Sequence, residues 1–523
     1  MPSAMLTEPD KRALAAIDRA LKQRQLGQAN ELIKAMLASS PDQVDGWIAR
    51  ARLSQMLADF EAMHASLEKA DELAPGSPLV GLMKAEALIH LGRILEAKDA
   101  LKKMELAAFD DAAWLGRLSE AWSQCGDFAA AERCARRAVA LRPNETAFRF
   151  ALSSALVALG RLEDAACELD AIIERDPDDF DAWYNRATLR KPTEEDNHVD
   201  AMRAALGSGR AKGLGRVQLN YALAHELEAL GRYAESFTAL QSGAAARRAG
   251  MAYKVERDVQ RMQQIETVFD ADFLQEGPQG DTSEGPVFIL GLPRSGSTLV
   301  DRILSAHAEV ESLGELTDFP MALTALCRQG FPGEDLVPAA AKLDPERLGQ
   351  AYLKRIGERA SGKCRYMIDK APLNYLYIGL IAKALPNARI IHMRRDPMDN
   401  AFAMYKTLFR MGYPFSYDFN DLAAYMNAKD RLMRHWRALL PGRILDIDYE
   451  AVVSDLRSET ERMLDFLGLA WDPACLAFHE NTSPSATASA AQVRQPLYAS
   501  SVGKWRRYEE GLKPLRALLG EQT

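Results

Sequence analysis

A strict 34-residue spacing runs through the first half of the chain. Pro41, Pro75, Pro143 and Pro177 fall on it, and Phe109 holds the skipped slot. Seventeen residues before these slots stand Gly92, Gly126 and Gly160, with Ala58 in the corresponding place one unit earlier. Seven residues further back are the small residues Ala51, Ala85, Ser119 and Ser153, and Trp47 and Trp183 share a phase. A period of this length constrains a fold more than any composition does. Glycine admits the tight turn between two helices, small residues let those helices approach, and proline stops the second one. Each unit is therefore a helix-turn-helix pair that buries its apolar face against its neighbours.

The pattern resembles the tetratricopeptide repeat. Beyond Pro177 it degrades: KPTEEDNH (191–198) interrupts the period, and NYALAHELEALGRYAESFTAL restores it with Ala224 and Gly231 in phase. Residues 10–275 are read as one α-solenoid. Such arrays stack into a superhelix with a concave face for a peptide or partner protein, and a scaffold that only forms a homodimer is the alternative use.

EGPQGDTSEGP (276–286), rich in Gly, Pro and polar residues, reads as a linker. Behind it comes VFIL (287–290), a short apolar run expected of a buried parallel strand, and then GLPRSGST, Gly291 to Thr298. Strand, glycine-rich loop and helix together turn backbone N–H groups toward an anion. Gly291 and Gly296 keep the spacing of the nucleoside-triphosphate loop, but Ser297 replaces its lysine. Arg294 instead offers a guanidinium fork to a phosphate or sulfate.

From Val287 onward the sequence resembles the sulfotransferase superfamily, whose tyrosylprotein branch writes this loop P-R-S-G-S-T-L. The resemblance implies an α/β, P-loop-like domain over 287–523 with a mainly parallel sheet, following the helical array. It implies 3′-phosphoadenylyl sulfate as donor, held by Pro293, Arg294, Ser295, Gly296, Ser297 and Thr298. Glu315, 21 residues beyond Arg294, matches the family's general base, and Lys370 in YMIDKAP matches the lysine of N-K-x-P. Arg395 in MRRDP matches the arginine that binds the donor's 3′-phosphate. Ser489 and Lys504 match the late serine and the lysine of the K-W pair that close over the donor. The catalytic set so implied is Glu315, Lys370, Arg294 and Ser489. One position departs: Ala403 stands where the family has a serine, eight residues after Arg395. All donor motifs lie after Val287, so the array is expected to recruit the acceptor instead. That acceptor is a hydroxyl, whether of a protein tyrosine, a sugar or a small metabolite.

The remaining features bound these readings. Net charge is −8, against the basic balance of a nucleic-acid binder. The first residues lack the apolar core of a signal peptide, and no run of eighteen apolar residues occurs, so a cytoplasmic protein without a membrane span is expected. The 6 cysteines form no C-x-x-C pair and the 8 histidines no ligand spacing, so no metal is expected. Two other functions stay open: a repeat scaffold that binds the nucleotide with weak catalysis, and a kinase or ATPase using Asp369 for magnesium.

Overall fold

The periodic glycine slot is a backbone requirement. In the computed structural model Gly92, Gly126, Gly160 and Gly231 have φ of 79°, 74°, 81° and 76°, and Ala58 and Arg24 take 55° and 54° in the same slot. A left-handed residue there lets the next N–H bond back across the helix end, closing orphan carbonyls. Asp59 N donates to Ser54 O at 2.9 Å, Asp127 N to Trp122 O at 3.0 Å and Arg232 N to Leu227 O at 2.8 Å. Arg24 thus marks a first repeat that the glycine pattern does not reveal. Trp47 and Trp183 share a phase for a related reason: each indole N–H donates to the carbonyl of Pro41 or Pro177, at 2.8 and 3.0 Å.

The structure describes residues 7–106, 111–409, 412–481, 497 and 499–520. Two compact units divide within the Thr146–Ala158 helix, at Ala155 and Leu156. The first unit holds the pairs Glu8–Lys22 with Leu26–Ser39, Val44–Met56 with Phe60–Leu73, Pro78–His90 with Ile94–Leu106, and Ala112–Gln124 with Phe128–Leu141. Ala51 and Ala85 are wholly buried where paired helices meet, and Ser119 Oγ donates to Ala131 O at 2.9 Å.

The second unit joins the later repeats to the α/β half. Its helices Leu162–Arg175, Phe180–Leu189, Val199–Gly207, Gly213–Ala229 and Tyr233–Ala249 are followed by Val255–Val268 and Ala271–Gln275. Five strands follow: β1 (Pro286–Gly291), β2 (Val310–Ser312), β3 (Tyr366–Asp369), β4 (Arg389–Arg394) and β5 (Ile444–Asp448). They form one sheet in the order β2-β3-β1-β4-β5, parallel at every pairing. All six residues of β1 are buried, which is why VFIL reads as continuous rather than alternating. Val287 and Ile289 pack toward Val300, Ile303 and Leu304 of the Ser297–Leu304 helix. Phe288 faces the other layer, stacked on Tyr352 with centroids 5.4 Å apart.

The compact units do not divide at 276–286. Gly280 N and Asp281 N donate to the carbonyls of Lys383 and Ala384 at 2.9 Å, and a Cβ on Gly280 would lie 2.1 Å from the Ala384 oxygen. The last repeat pair is equally engaged. Tyr221 donates to Tyr405 O at 3.0 Å, and Arg248 Nε meets Asp421 at 2.6 Å. Among the described residues no helix is long and apolar enough to cross a membrane.

A chain beginning at Asn144 should therefore purify folded, whereas one beginning at Glu276 should aggregate, because it uncovers the surfaces that Tyr221 and Arg248 bury. Gel filtration and circular dichroism compare the two. A well-folded protein starting at Glu276 would contradict this account.

Candidate active site

β1 ends in a loop that only particular residues can form. Gly291 has φ 150° and a Cβ there would sit 2.6 Å from the Met393 carbonyl; Gly296 has φ 103° and a Cβ would meet Tyr449 at 2.6 Å. Arg294 between them is also left-handed, at φ 65°. Neighbouring side chains tie the loop down: Asn400 Nδ2 donates to Pro293 O at 2.8 Å and Arg395 Nη1 to Arg294 O at 2.9 Å. The helix that follows starts at Ser297 without a side-chain cap, leaving its first turn suited to an anion. Ser295 Oγ is buried and makes no hydrogen bond. A buried hydroxyl without a partner beside an uncapped helix start fits the phosphosulfate end of an adenylyl sulfate.

β3, next to β1, brings Lys370 to the same end of the sheet. Its side chain is 1% exposed and its ammonium pairs with Glu315, which is 47% exposed. The two residues that match the family's base and its N-K-x-P lysine thus touch. Asp301, on the helix after the loop, lies buried near them; burial raises its carboxyl, with Lys370 opposing. Asp369 points elsewhere. Burial pushes it up to about 7, and Tyr352 donates to its Oδ2 at 3.0 Å.

β4 supplies the third part. Arg395 Nη2 donates to Ser501 O at 2.7 Å, and its guanidinium lies 4.8 Å from the Tyr449 ring centre. Arg394 instead pairs with Asp448 at 3.0 Å, both half exposed. Asp399, two residues into the Pro397–Tyr405 helix, accepts from Gly503 N at 2.6 Å and Trp505 N at 3.2 Å. The segment bearing Lys504 is therefore pinned from both sides.

Lys504 itself pairs with Glu228, a residue of the repeat array. Lys406 donates to both Glu228 oxygens at 2.8 and 2.6 Å, and Tyr508 to one at 3.0 Å. Burial alone would raise the Glu228 carboxyl; the two lysines overcome it and hold it well below the usual range. Burial brings Lys406 down to about 8, Glu228 opposing and Lys504 adding. His225, one turn before Glu228, is brought down to about 4 by burial first, with Lys406, Lys504 and Arg294 contributing. Arg294 therefore belongs to the same field of cations.

Sequence reasoning missed Asp399, Lys406, His225 and Glu228. The array, expected to recruit the acceptor, also contributes Glu228, which pairs with Lys504. Lys406 carried a faint signal, one turn after the unusual Ala403. Ser489 lies outside the described residues. His307 is held by backbone on both ring nitrogens, to Ala470 O at 3.1 Å and Glu309 N at 3.1 Å.

Residues 286–473 match a family model described as the sulfotransferase family, and residues 124–189 match one for the tetratricopeptide repeat. The α/β half is a sulfotransferase-family domain. An uncharacterized protein of Aquifex aeolicus (strain VF5) is 29% identical over 377 residues, 70% of this chain and 49% of that protein. The chain thus spans about half of that relative's length. A putative protein-tyrosine sulfotransferase of Caenorhabditis briggsae is 26% identical over 259 residues, 45% of this chain and 89% of that protein. Among solved structures, the sulfotransferase domain of the Synechococcus PCC 7002 olefin synthase aligns at 21% identity with a TM-score of 0.34, covering 44% of this chain and 91% of that chain.

The sulfotransferase domain carries a pH signature beside Lys370. Unfolded, Asp369 loses its proton near 3.8; folded, it keeps it to about 7. Between those values the folded state holds the extra proton, so this group's contribution to stability falls as pH rises. Asp369→Asn removes the titration. Its melting temperature relative to the unmodified protein should climb from pH 4 to 7 and then level. A difference that stays flat from pH 4 to 8 would contradict the buried, protonated carboxyl.

Proposed function

We propose that the domain moves the sulfuryl group of 3′-phosphoadenylyl sulfate to an acceptor hydroxyl. The observation that carries this reading is the Glu315–Lys370 pair beside a phosphate-type loop that lacks the triphosphate lysine. In the displacement, the acceptor oxygen forms a bond to sulfur while the sulfur–oxygen bond to the donor phosphate breaks. Adenosine 3′,5′-bisphosphate leaves, and the acceptor's proton passes to Glu315. Negative charge gathers on the departing phosphate, so preorganised cations stabilise the transition state. Arg294, Lys370 and Lys504 take that role, and Arg395 holds the 3′-phosphate. Donor binding to Lys370 loosens its pairing with Glu315 and releases that carboxylate to act as base.

The half-exposed Glu315 faces outward enough for a hydroxyl to reach it, whereas Asp369 is fully buried and donor-bonded by Tyr352. That burial disfavours the magnesium-binding aspartate a kinase or ATPase would need. Likeness to protein-tyrosine sulfotransferases favours a protein tyrosine as acceptor, and the repeat array then serves to hold the acceptor chain.

Glu315→Gln keeps the shape of the side chain and removes its basicity. Turnover should fall by ~10²–10⁴-fold, the range for a general base, with donor affinity unchanged or slightly improved. Arg294→Ala should weaken donor affinity as well as rate. Labelled-sulfate turnover beside calorimetric donor affinity separates these effects. Normal turnover by Glu315→Gln with its best acceptor would refute the assignment of the base.

A further inference from the structure

Three groups converge on one carboxylate of the repeat array. Glu228 accepts two hydrogen bonds from Lys406, pairs with Lys504 and accepts the Tyr508 hydroxyl. A carboxylate gathered by two ammonium groups and a hydroxyl is what an anion-binding site looks like when its occupant belongs to the same chain. We propose that Lys406, Lys504 and Tyr508 form an anion subsite for a phosphate group of the donor, and that Glu228 of the last repeat pair fills it until the donor arrives.

The backbone supports the exchange. Lys504 lies between two N–H groups fixed by Asp399, so its main chain is held while its side chain stays 31% exposed. It is free to turn from Glu228 to an incoming phosphate. Lys406 is nearly enclosed, at the end of the helix whose first turn adjoins Arg395. Its place is set by the fold rather than by Glu228: Tyr221, on the same repeat helix as Glu228, donates to the carbonyl of the preceding Tyr405. Arg294 adds a third cation, and His225 stays neutral in ordinary buffers. Two lysines against one carboxylate leave a net positive charge, and such a charge in a partly buried setting favours an anion.

Glu228 and the donor therefore compete for the same lysines. An anion brought beside a carboxylate is also repelled by it, at a strength set by their separation and the local dielectric. In this way a repeat helix with no donor motif of its own sets how tightly the donor is held. The inference rests on the donor reading above, and its test distinguishes the two.

Calorimetry with adenosine 3′,5′-bisphosphate on the full chain provides that test. Glu228→Gln preserves volume and removes the competing charge, so it should bind about three- to thirtyfold tighter. Adding Lys406→Met should cancel the gain, returning affinity to the starting value or below. Glu228→Asp, which retracts the carboxylate without leaving a buried lysine alone, should shift affinity the same way by less and covers the case in which Glu228→Gln fails to fold. A purely structural ion pair would instead lower the melting temperature and leave affinity equal or weaker. Folded variants with that result would overturn the subsite while the donor reading stood. A parent protein that binds no bisphosphate would overturn both.

Discussion

Parallel pairing of β1 with β3 on one side and β4 on the other determines where the reactive groups emerge. The register sets Phe288 beside Asp369 and Gly291 beside Met393, so the loop, Lys370 and Arg395 leave the sheet at one end. The chain runs from β1 to the β2–β3 side and then returns to the β4–β5 side, which opens a crevice at the ends of the central strands. Tight packing at Gly291 and Gly296 makes the loop part of that arrangement: each glycine lies against a group reached only when β4 and the segment after β5 are in place. Site and sheet are consequently one structural requirement.

Charge balance is the second constraint. Lys370, Lys406 and Lys504 are buried or partly buried, and each meets a carboxylate of its own chain, Glu315 or Glu228. Isolated buried ammonium groups would be strongly unfavourable, so the chain supplies internal anions. The two carboxylates differ in exposure: Glu315 is half open to solvent and Glu228 nearly enclosed. That contrast agrees with the roles proposed above, proton transfer at the open position and charge storage at the enclosed one.

Local requirements were legible in the sequence because they demand particular residue types at particular spacing. The 34-residue slot was readable where glycine filled it and invisible where Arg24 took the same left-handed backbone. The strand and loop at 287–298 announced themselves through an apolar run and two glycines whose Cβ positions are occupied. Glu315 and Lys370 were matched as separate motifs, and only the fold shows them in contact. Glu228 gave no signal. By sequence it reads as an ordinary helix glutamate inside a repeat, and its partners Lys406 and Lys504 are 178 and 276 residues away in the chain. Long-range electrostatic partnerships of this kind leave no periodicity to read. The packing of 276–286 was unreadable for a related reason, since Gly and Pro mark irregular backbone whether it is loose or, as here, bonded to Lys383 and Ala384.

Group transfer itself is the central claim, and a paired labelling experiment addresses it most directly. The full chain is incubated with a cell extract and 3′-phosphoadenylyl sulfate labelled at sulfur. A parallel sample receives ATP labelled at its γ-phosphate. The account predicts label in an acceptor fraction from the sulfur donor only, dependent on the added protein. Protein-dependent label from ATP, with none from the sulfur donor, would contradict it.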